Sequence, residues 1–281
     1  MKKILNCLLI ALVGLVPVRA EEENLQGGVA QLDITPPVGY PHYRDFGTAV
    51  EDPLYVKAFV LRQGETKWAI AVCDLLWIER ELSAEVRLQV REQTGIPFEH
   101  IFLTATHTHT GPAYHANIFE LNSHRRKFDG SVEEAIAREG YPDRLRDNIV
   151  KAIVSAHDKA VPVTLETATG RISDLSFNRR FLLSDGKVRT NPGVGNRSIV
   201  KSVGPIDPEL HTVLIKRSGD DALLGVVSNF AVHSDTRGGT GFSADYPGVL
   251  ARELEKELGD EVVSLFLQGA SGDLNHVNVR K

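Results

Sequence analysis

Short apolar runs of strand length alternate along this chain with segments of helical periodicity, and most of the runs stop abruptly on a polar side chain. Trp68-Ala-Ile-Ala-Val-Cys73 reads as a buried strand ending at Asp74, after which Leu82, Val86 and Val90 repeat at helical spacing until Gly95 and Pro97 interrupt them. Leu145, Ile149, Ile153 and Ala156 mark one face of a second helix, followed by an expected strand over 163–169. Further strands are expected over 211–216 and 223–232. Ser243-Ala-Asp-Tyr-Pro247 opens a helix with capping residues and a proline near its first turn, and its core face is Leu250, Leu254 and Leu258. A last apolar run over 262–267 ends in Gly269-Ala-Ser-Gly-Asp273. Several connections are too short for a crossover helix, so the expected fold is α/β, with layered mixed β-sheets flanked by helices. No heptad run, internal repeat or low-complexity segment is visible, which excludes a coiled coil or a solenoid.

The polar stops are the candidate chemistry. Asp74, His107, His109, His233 and Asp273 each follow an apolar run, and ligand sites of layered α/β proteins lie at such strand ends. In Ile101-Phe-Leu-Thr-Ala-Thr-His107-Thr-His109-Thr-Gly-Pro112, strand alternation points both histidines the same way. Two adjacent imidazoles suit a metal ion, or one ligand beside one acid/base; a solvated strand end or two structural histidines is the alternative.

Lys2-Lys3, an apolar run over 4–16 and a small Ala20 before Glu21-Glu22-Glu23 have the layout of a secretory signal peptide over 1–20, so the chain is expected to be exported to a periplasmic or extracellular compartment. No later run approaches the roughly 18 apolar residues of a membrane span, and no transmembrane segment is expected in the mature chain. Cys73 is then the one remaining cysteine, which precludes an internal disulfide. Residues 21–281 are long enough to form one large domain around a core. Loss of Lys2, Lys3 and Arg19 lowers the 32 basic residues to 29 against 37 acidic ones, a net charge of −8 that argues against a nucleic-acid partner.

Two long loops are expected to wall the site. Residues 113–140 carry His115, His124, Arg125, Arg126 and Lys127, with a short helix over 132–138. The second wall contains Asn178-Arg179-Arg180 and the Gly/Pro-rich run 184–208. Its Gly193-Val-Gly195 lacks the Lys-Ser/Thr ending of a phosphate loop. Arg179 or Arg180 suits an anion or a polarised carbonyl oxygen, with a surface role as the alternative.

Gly28-Val-Ala-Gln-Leu-Asp-Ile-Thr-Pro36, Asp52-Pro-Leu-Tyr55, Ala105-Thr-His-Thr-His-Thr-Gly-Pro112, Asn178-Arg179, Asn229-Phe-Ala-Val-His233, Ser243-Ala-Asp-Tyr-Pro-Gly248 and Gly272-Asp273 stand in the order of the neutral, non-lysosomal ceramidases, which this chain resembles over almost all of its mature length. The resemblance implies a zinc amidohydrolase that splits an N-acylsphingosine into fatty acid and sphingoid base. By matching position it implies His107 and His233 as zinc ligands and His109 as acid/base or oxyanion donor. It gives Arg179 a catalytic or head-group role and makes Asp273 and Asn275 substrate contacts. Zinc would lower the pKa of bound water to about 7 and supply the attacking hydroxide.

The chain also departs from the family. Gly272-Asp-Leu-Asn275 has Asn275 where the family's motif has a serine, and an asparagine cannot be a nucleophile, so a water-based mechanism is the one expected. The family's further zinc ligands, a glutamate and a tyrosine, lie beyond the Gly-Asp motif, whereas this sequence stops at Lys281. The implied domain is therefore incomplete, or its metal is completed by Asp74, Asp235, Asp273, His276 or water. The alternatives to a ceramidase-like activity are a hydrolase of a non-lipid amide or glycan-derived substrate, and a non-catalytic remnant or binding protein. No helix has the basic amphipathic pattern of a membrane-surface segment.

Overall fold

The computed structural model describes residues 25–120 and 131–279. The expected leader and the cluster of His124, Arg125, Arg126 and Lys127 lie outside them.

Eight strands form one mixed sheet that folds over on itself. In its first half β1 (Leu25–Asp33) pairs antiparallel with β3 (Tyr55–Gln63), β3 antiparallel with β4 (Thr66–Cys73), and β4 parallel with β5 (Ile101–Ala105). In the second half β6 (Val161–Arg171) and β11 (Glu209–Arg217) are antiparallel, as are β11 and β12 (Leu223–Phe230), while β12 runs parallel to β14 (Val263–Gln268). Backbone pairing joins the halves through Gln26 and Gly27 against Pro162 and Val161, giving the order β14-β12-β11-β6-β1-β3-β4-β5. Strand alternation then sorts the side chains. Val29, Phe59, Ile70 and Val72 of the first half meet Val227, Val263 and Leu265 of the second in a dry inner layer.

Helices cover the outer faces. The two parallel pairs each need a crossover, and these are supplied by α1 (Arg80–Thr94) and α5 (Asp245–Leu258). Two short helices, α2 (Ala116–Glu120) and α3 (Val132–Ile136), precede α4 (Tyr141–Asp158). On the first half α4 buries Leu145, Ile149, Ile153 and Ala156 against Ala30, Val56, Ala58 and Val60. On the second half Leu250 and Leu254 of α5 cover Val226 and Leu214. Leu258, expected in that core face, is instead 46 % exposed, as the last residue of the helix before its Gly259 cap. No described helix is long and apolar enough to cross a membrane.

Smaller pairings fix the loops. β2 (Ala49–Val50) pairs with β13 (Gly241–Phe242), and β7 (Phe177–Asn178) with β15 (Leu274–Asn275). The run 184–208 is not the plain loop that its Gly and Pro content suggests. It contributes β9 (Val188–Thr190) and β10 (Ile199–Ser202), which flank β8 (Arg180–Leu183) in a separate three-stranded arm. The arm is anchored by Phe181 and Leu183 packed with Val277 and Val279.

Gly28 sets the closest approach of sheet and helix. A Cβ there would lie 2.1 Å from the carbonyl oxygen of Ala156 in α4 and 2.8 Å from the backbone nitrogen of Ala160. Gly28→Ala is therefore expected to lower the unfolding free energy by about 1–3 kcal/mol, read as a reduced urea midpoint at unchanged slope.

Candidate metal centre

His107 and His109 lie just past the end of β5, not within it. His107 takes a left-handed backbone, φ 63°, so the two rings converge through a turn and not through strand alternation. The intervening threonines hold that turn. Thr106 donates its hydroxyl to Asp74 Oδ1 (3.2 Å), and Thr108 and Thr110 both donate to the Ser243 carbonyl (2.7 and 2.9 Å). All three threonines are buried, leaving the histidines to face the opposite way. His233 follows β12, and the next residue binds the two loops together. Ser234 accepts the His109 backbone N–H at its carbonyl (3.1 Å) and gives its hydroxyl proton to the Thr106 carbonyl (2.7 Å). Buried Asp245 accepts from the backbone N–H groups of Thr236 and Arg237 (2.9 and 3.0 Å), tying the same loop to the start of α5.

The three rings stand 4.7–4.9 Å apart, centroid to centroid. Nε2 of His109 lies 3.0 Å from Nε2 of His233 and 3.4 Å from Nε2 of His107. Backbone carbonyls fix the tautomers of the outer two: His107 Nδ1–H donates to Leu76 (2.8 Å) and His233 Nδ1–H to Ser271 (3.1 Å). Their Nε2 lone pairs therefore face the common centre, an orientation shared with metal-bound histidines. His109 meets no such carbonyl among the described residues and packs edge-on against Tyr43, 4.9 Å away. Burial, then the two neighbouring imidazoles, pushes its pKa down to about 3. Burial also lowers that of His233, with His107 and Arg179 adding and the Ser271 carbonyl opposing. The donor set fits a borderline-soft divalent cation.

The other expected residues are distributed around this centre. Arg179 donates from Nε and Nη2 to the Gly272 carbonyl (3.1 and 2.6 Å), near enough for its charge to act on both His109 and His233. Asp273 accepts from Asn178 (2.7 Å), and Asn275 gives its amide to Asn191 (2.9 Å). Asp74 is buried and engaged by the Tyr55 N–H (2.9 Å) and Thr106, while Asp235 pairs with Arg44. Neither belongs to the histidine group, and nor do Asp273 and His276. A second group, Glu79, Glu81 and His115, lies elsewhere, and Glu79 there already accepts from the Trp77 indole (2.6 Å). A groove of about 420 Å³ opens beside His107 and His233, lined also by Leu76, Trp77, Ile78, Leu103, Gln268 and Gly272.

Gln268 escaped the sequence reading. It closes the apolar run of β14, so the polar-stop pattern that singles out Asp74, His107 and His233 also contains it. Its amide donates to the Val232 carbonyl (2.6 Å) and to Ser271 Oγ (2.7 Å), bracing the residue before His233 and the residue whose carbonyl fixes the His233 ring.

The family model described as neutral/alkaline non-lysosomal ceramidase, N-terminal, matches residues 25–279. The neutral ceramidase of Mycobacterium tuberculosis is 24 % identical over 254 residues, covering 85 % of this chain and 37 % of the relative. That of Pseudomonas aeruginosa is 26 % identical over 286 residues, covering 97 % and 40 %. The crystal structure of the P. aeruginosa neutral ceramidase superposes with a TM-score of 0.71 at 22 % identity, over 91 % of this chain and 40 % of that one. A ceramidase complexed with C2 gives 0.70 at 22 % identity, over 90 % and 39 %. The fold is thus that of these ceramidases' amino-terminal part, and the chain spans about two-fifths of the length of the relatives it matches.

Two outcomes are expected from this geometry. Gln268→Leu leaves the fold intact but weakens divalent-metal affinity by about 10–100-fold in a chelator competition, as loss of an outer-shell partner does. The folded chain also excludes from His109 a proton that the unfolded chain accepts below about 6.5, so unfolding is favoured by acid. The Tm of metal-free protein should fall as pH drops from about 6.5 toward 3, and His109→Gln should flatten that part of the profile.

Proposed function

We propose, from the premise that this chain belongs to the neutral/alkaline non-lysosomal ceramidase family, that it is a zinc-dependent hydrolase of linear amides whose substrate class is an N-acylated sphingoid base. The observation that carries this reading is the pair of Nδ1–H to carbonyl bonds that aims His107 and His233 at one point beside a half-apolar groove. These two residues would hold the ion, with His109 against it. When bound, zinc polarises an amide carbonyl and makes water a nucleophile near neutral pH.

The chain's own groups supply the rest. His109, kept neutral by its surroundings, accepts a proton from water at Nε2 and returns it to the leaving amine, which otherwise departs as an unstable anion. Arg179 is anchored through Nε and Nη2, while its Nη1 donates to no described residue and is available for the substrate's polar head or the charge growing on the carbonyl oxygen. Leu76, Trp77, Ile78 and Leu103 offer the acyl chain an apolar wall. Asn275, which the family resemblance makes a substrate contact together with Asp273, carries an amide and no nucleophile, in keeping with attack by water. The basic, apolar and small-residue pattern of 1–20 supports export.

Elemental mass spectrometry of the purified chain is expected to find close to one zinc per polypeptide, lost in His107→Ala and in His233→Ala. His109→Gln should keep zinc and lose about 10²–10⁴-fold in kcat on an N-acyl sphingoid amide. Folded wild-type protein without zinc sinks the reading. Zinc retained without turnover of any amide would instead leave a binding protein with a family metal site.

A further inference from the structure

We infer that the arm formed by β8, β9 and β10 is a docking surface for an anionic lipid bilayer. Residues 180–203 hold Arg180, Lys187, Arg189, Arg197 and Lys201 against the single carboxylate of Asp185, a net of +4 in a chain whose net charge is −5. All five basic side chains are exposed, and none pairs with a carboxylate among the described residues. Such segregation leaves a positive field on one projection of an otherwise acidic molecule.

Apolar side chains are interleaved with these charges. Val188, Val194, Val200 and Val203 are between 39 % and 62 % exposed. The arm has a separate buried face, where Phe181 and Leu183 meet Val277 and Val279, so these valines are not needed to anchor it. Pairing places Leu182 between Val188 of β9 and Lys201 of β10, on the side facing away from that anchor, with Arg180 next along the strand direction. Small aliphatic residues set among unpaired cations suit a surface that takes up both: headgroup phosphates for the Lys and Arg, and the headgroup–acyl boundary for the valines. A nucleic acid or other polyanion would use the charges and leave the valines in water. The arm is also tied to the groove, since Asn191 donates its backbone N–H to the carbonyl of Arg179 (2.8 Å), whose guanidinium holds the carbonyl of Gly272 in the groove lining. Docking it would present the groove to lipid. This deepens the proposed N-acyl lipid reading, on which its biological sense rests, though the binding itself requires neither metal nor turnover.

The test is co-sedimentation of the chain with phosphatidylcholine vesicles, with and without about 30 mol % phosphatidylserine, at about 0.1 and 0.5 M salt. The expected result is partitioning to the anionic vesicles at least about tenfold above the neutral ones, weakened by salt. A double variant, Arg180→Glu and Lys201→Glu, both on the outward face, is expected to abolish that preference. A second, Val188→Ser with Val200→Ser, is expected to reduce it severalfold while circular dichroism and zinc content stay unchanged. Equal binding to both vesicle types, or wild-type binding by the charge variant, overturns the inference. So does binding to soluble heparin that equals vesicle binding and is indifferent to the valine substitutions, because the partner would then be a polyanion and not a bilayer. Failure of amide hydrolysis with intact vesicle binding would count against the proposed activity alone.

Discussion

Three imidazoles gathered with His109 Nε2 within hydrogen-bond distance of the other two are the arrangement around which the rest of this structure is organised. Such a cluster cannot tolerate full protonation, since like charges at that separation repel and burial removes the water that would screen them. Burial and the neighbouring imidazoles hold His109 neutral, while the carbonyls of Leu76 and Ser271 accept the Nδ1–H of the other two rings. Those carbonyls belong to loops, and the loops are fixed by buried polar groups: the threonines on either side of His107 and His109, Ser234 between the two loops, and Asp245 beneath the second. The left-handed backbone of His107 is the local strain that this network sustains.

The sheet explains why those loops meet. β4 and β5 are parallel, as are β12 and β14, and each parallel pair delivers its carboxyl ends to the same side. Because the eight strands fold into two facing halves, the edge strands β5 and β14 come close to each other, and the groove forms where both stop. The dry inner layer of valine, isoleucine and leucine gives the site a rigid base. Gly28 allows α4 to lie directly on the first half and lock it. Ligand and acid/base candidates therefore come from separate halves of one sheet, His107 and His109 from the first and His233 from the second.

Charge is distributed with similar economy. The body of the molecule is acidic, and its ion pairs, such as Arg44 with Asp235 and Arg237 with Glu51, lace loops together near the centre. The arm is basic and unpaired, and it carries valines that the core does not use. On the arm's outward face, Val188 and Lys201 flank Leu182 across strands, so apolar and basic side chains meet there through pairing and not through a helical period.

Strand and helix identities were legible in the chain because their cause is local: Trp68 to Cys73, the Leu82-Val86-Val90 stripe and the Leu145-Ile149-Ile153 stripe each carry their own periodicity. The histidines were legible as well, since a polar residue that ends an apolar run has few reasons to be there. What the chain could not display was the turn that brings His107 and His109 together, the exposure of Leu258, or the strands hidden in 184–208. Each depends on partners distant in sequence. Gln268 is the clearest case. Its position at the end of β14 is a property of the sequence, but its hold on Val232 and Ser271 exists only once β12 and β14 are paired. The sequence by itself determined which residues are apolar, which can ligate and at what period they recur. Only the tertiary structure decided which of them share a point in space, because hydrogen bonds and facing lone pairs are fixed by distances of a few ångströms that a linear pattern does not encode.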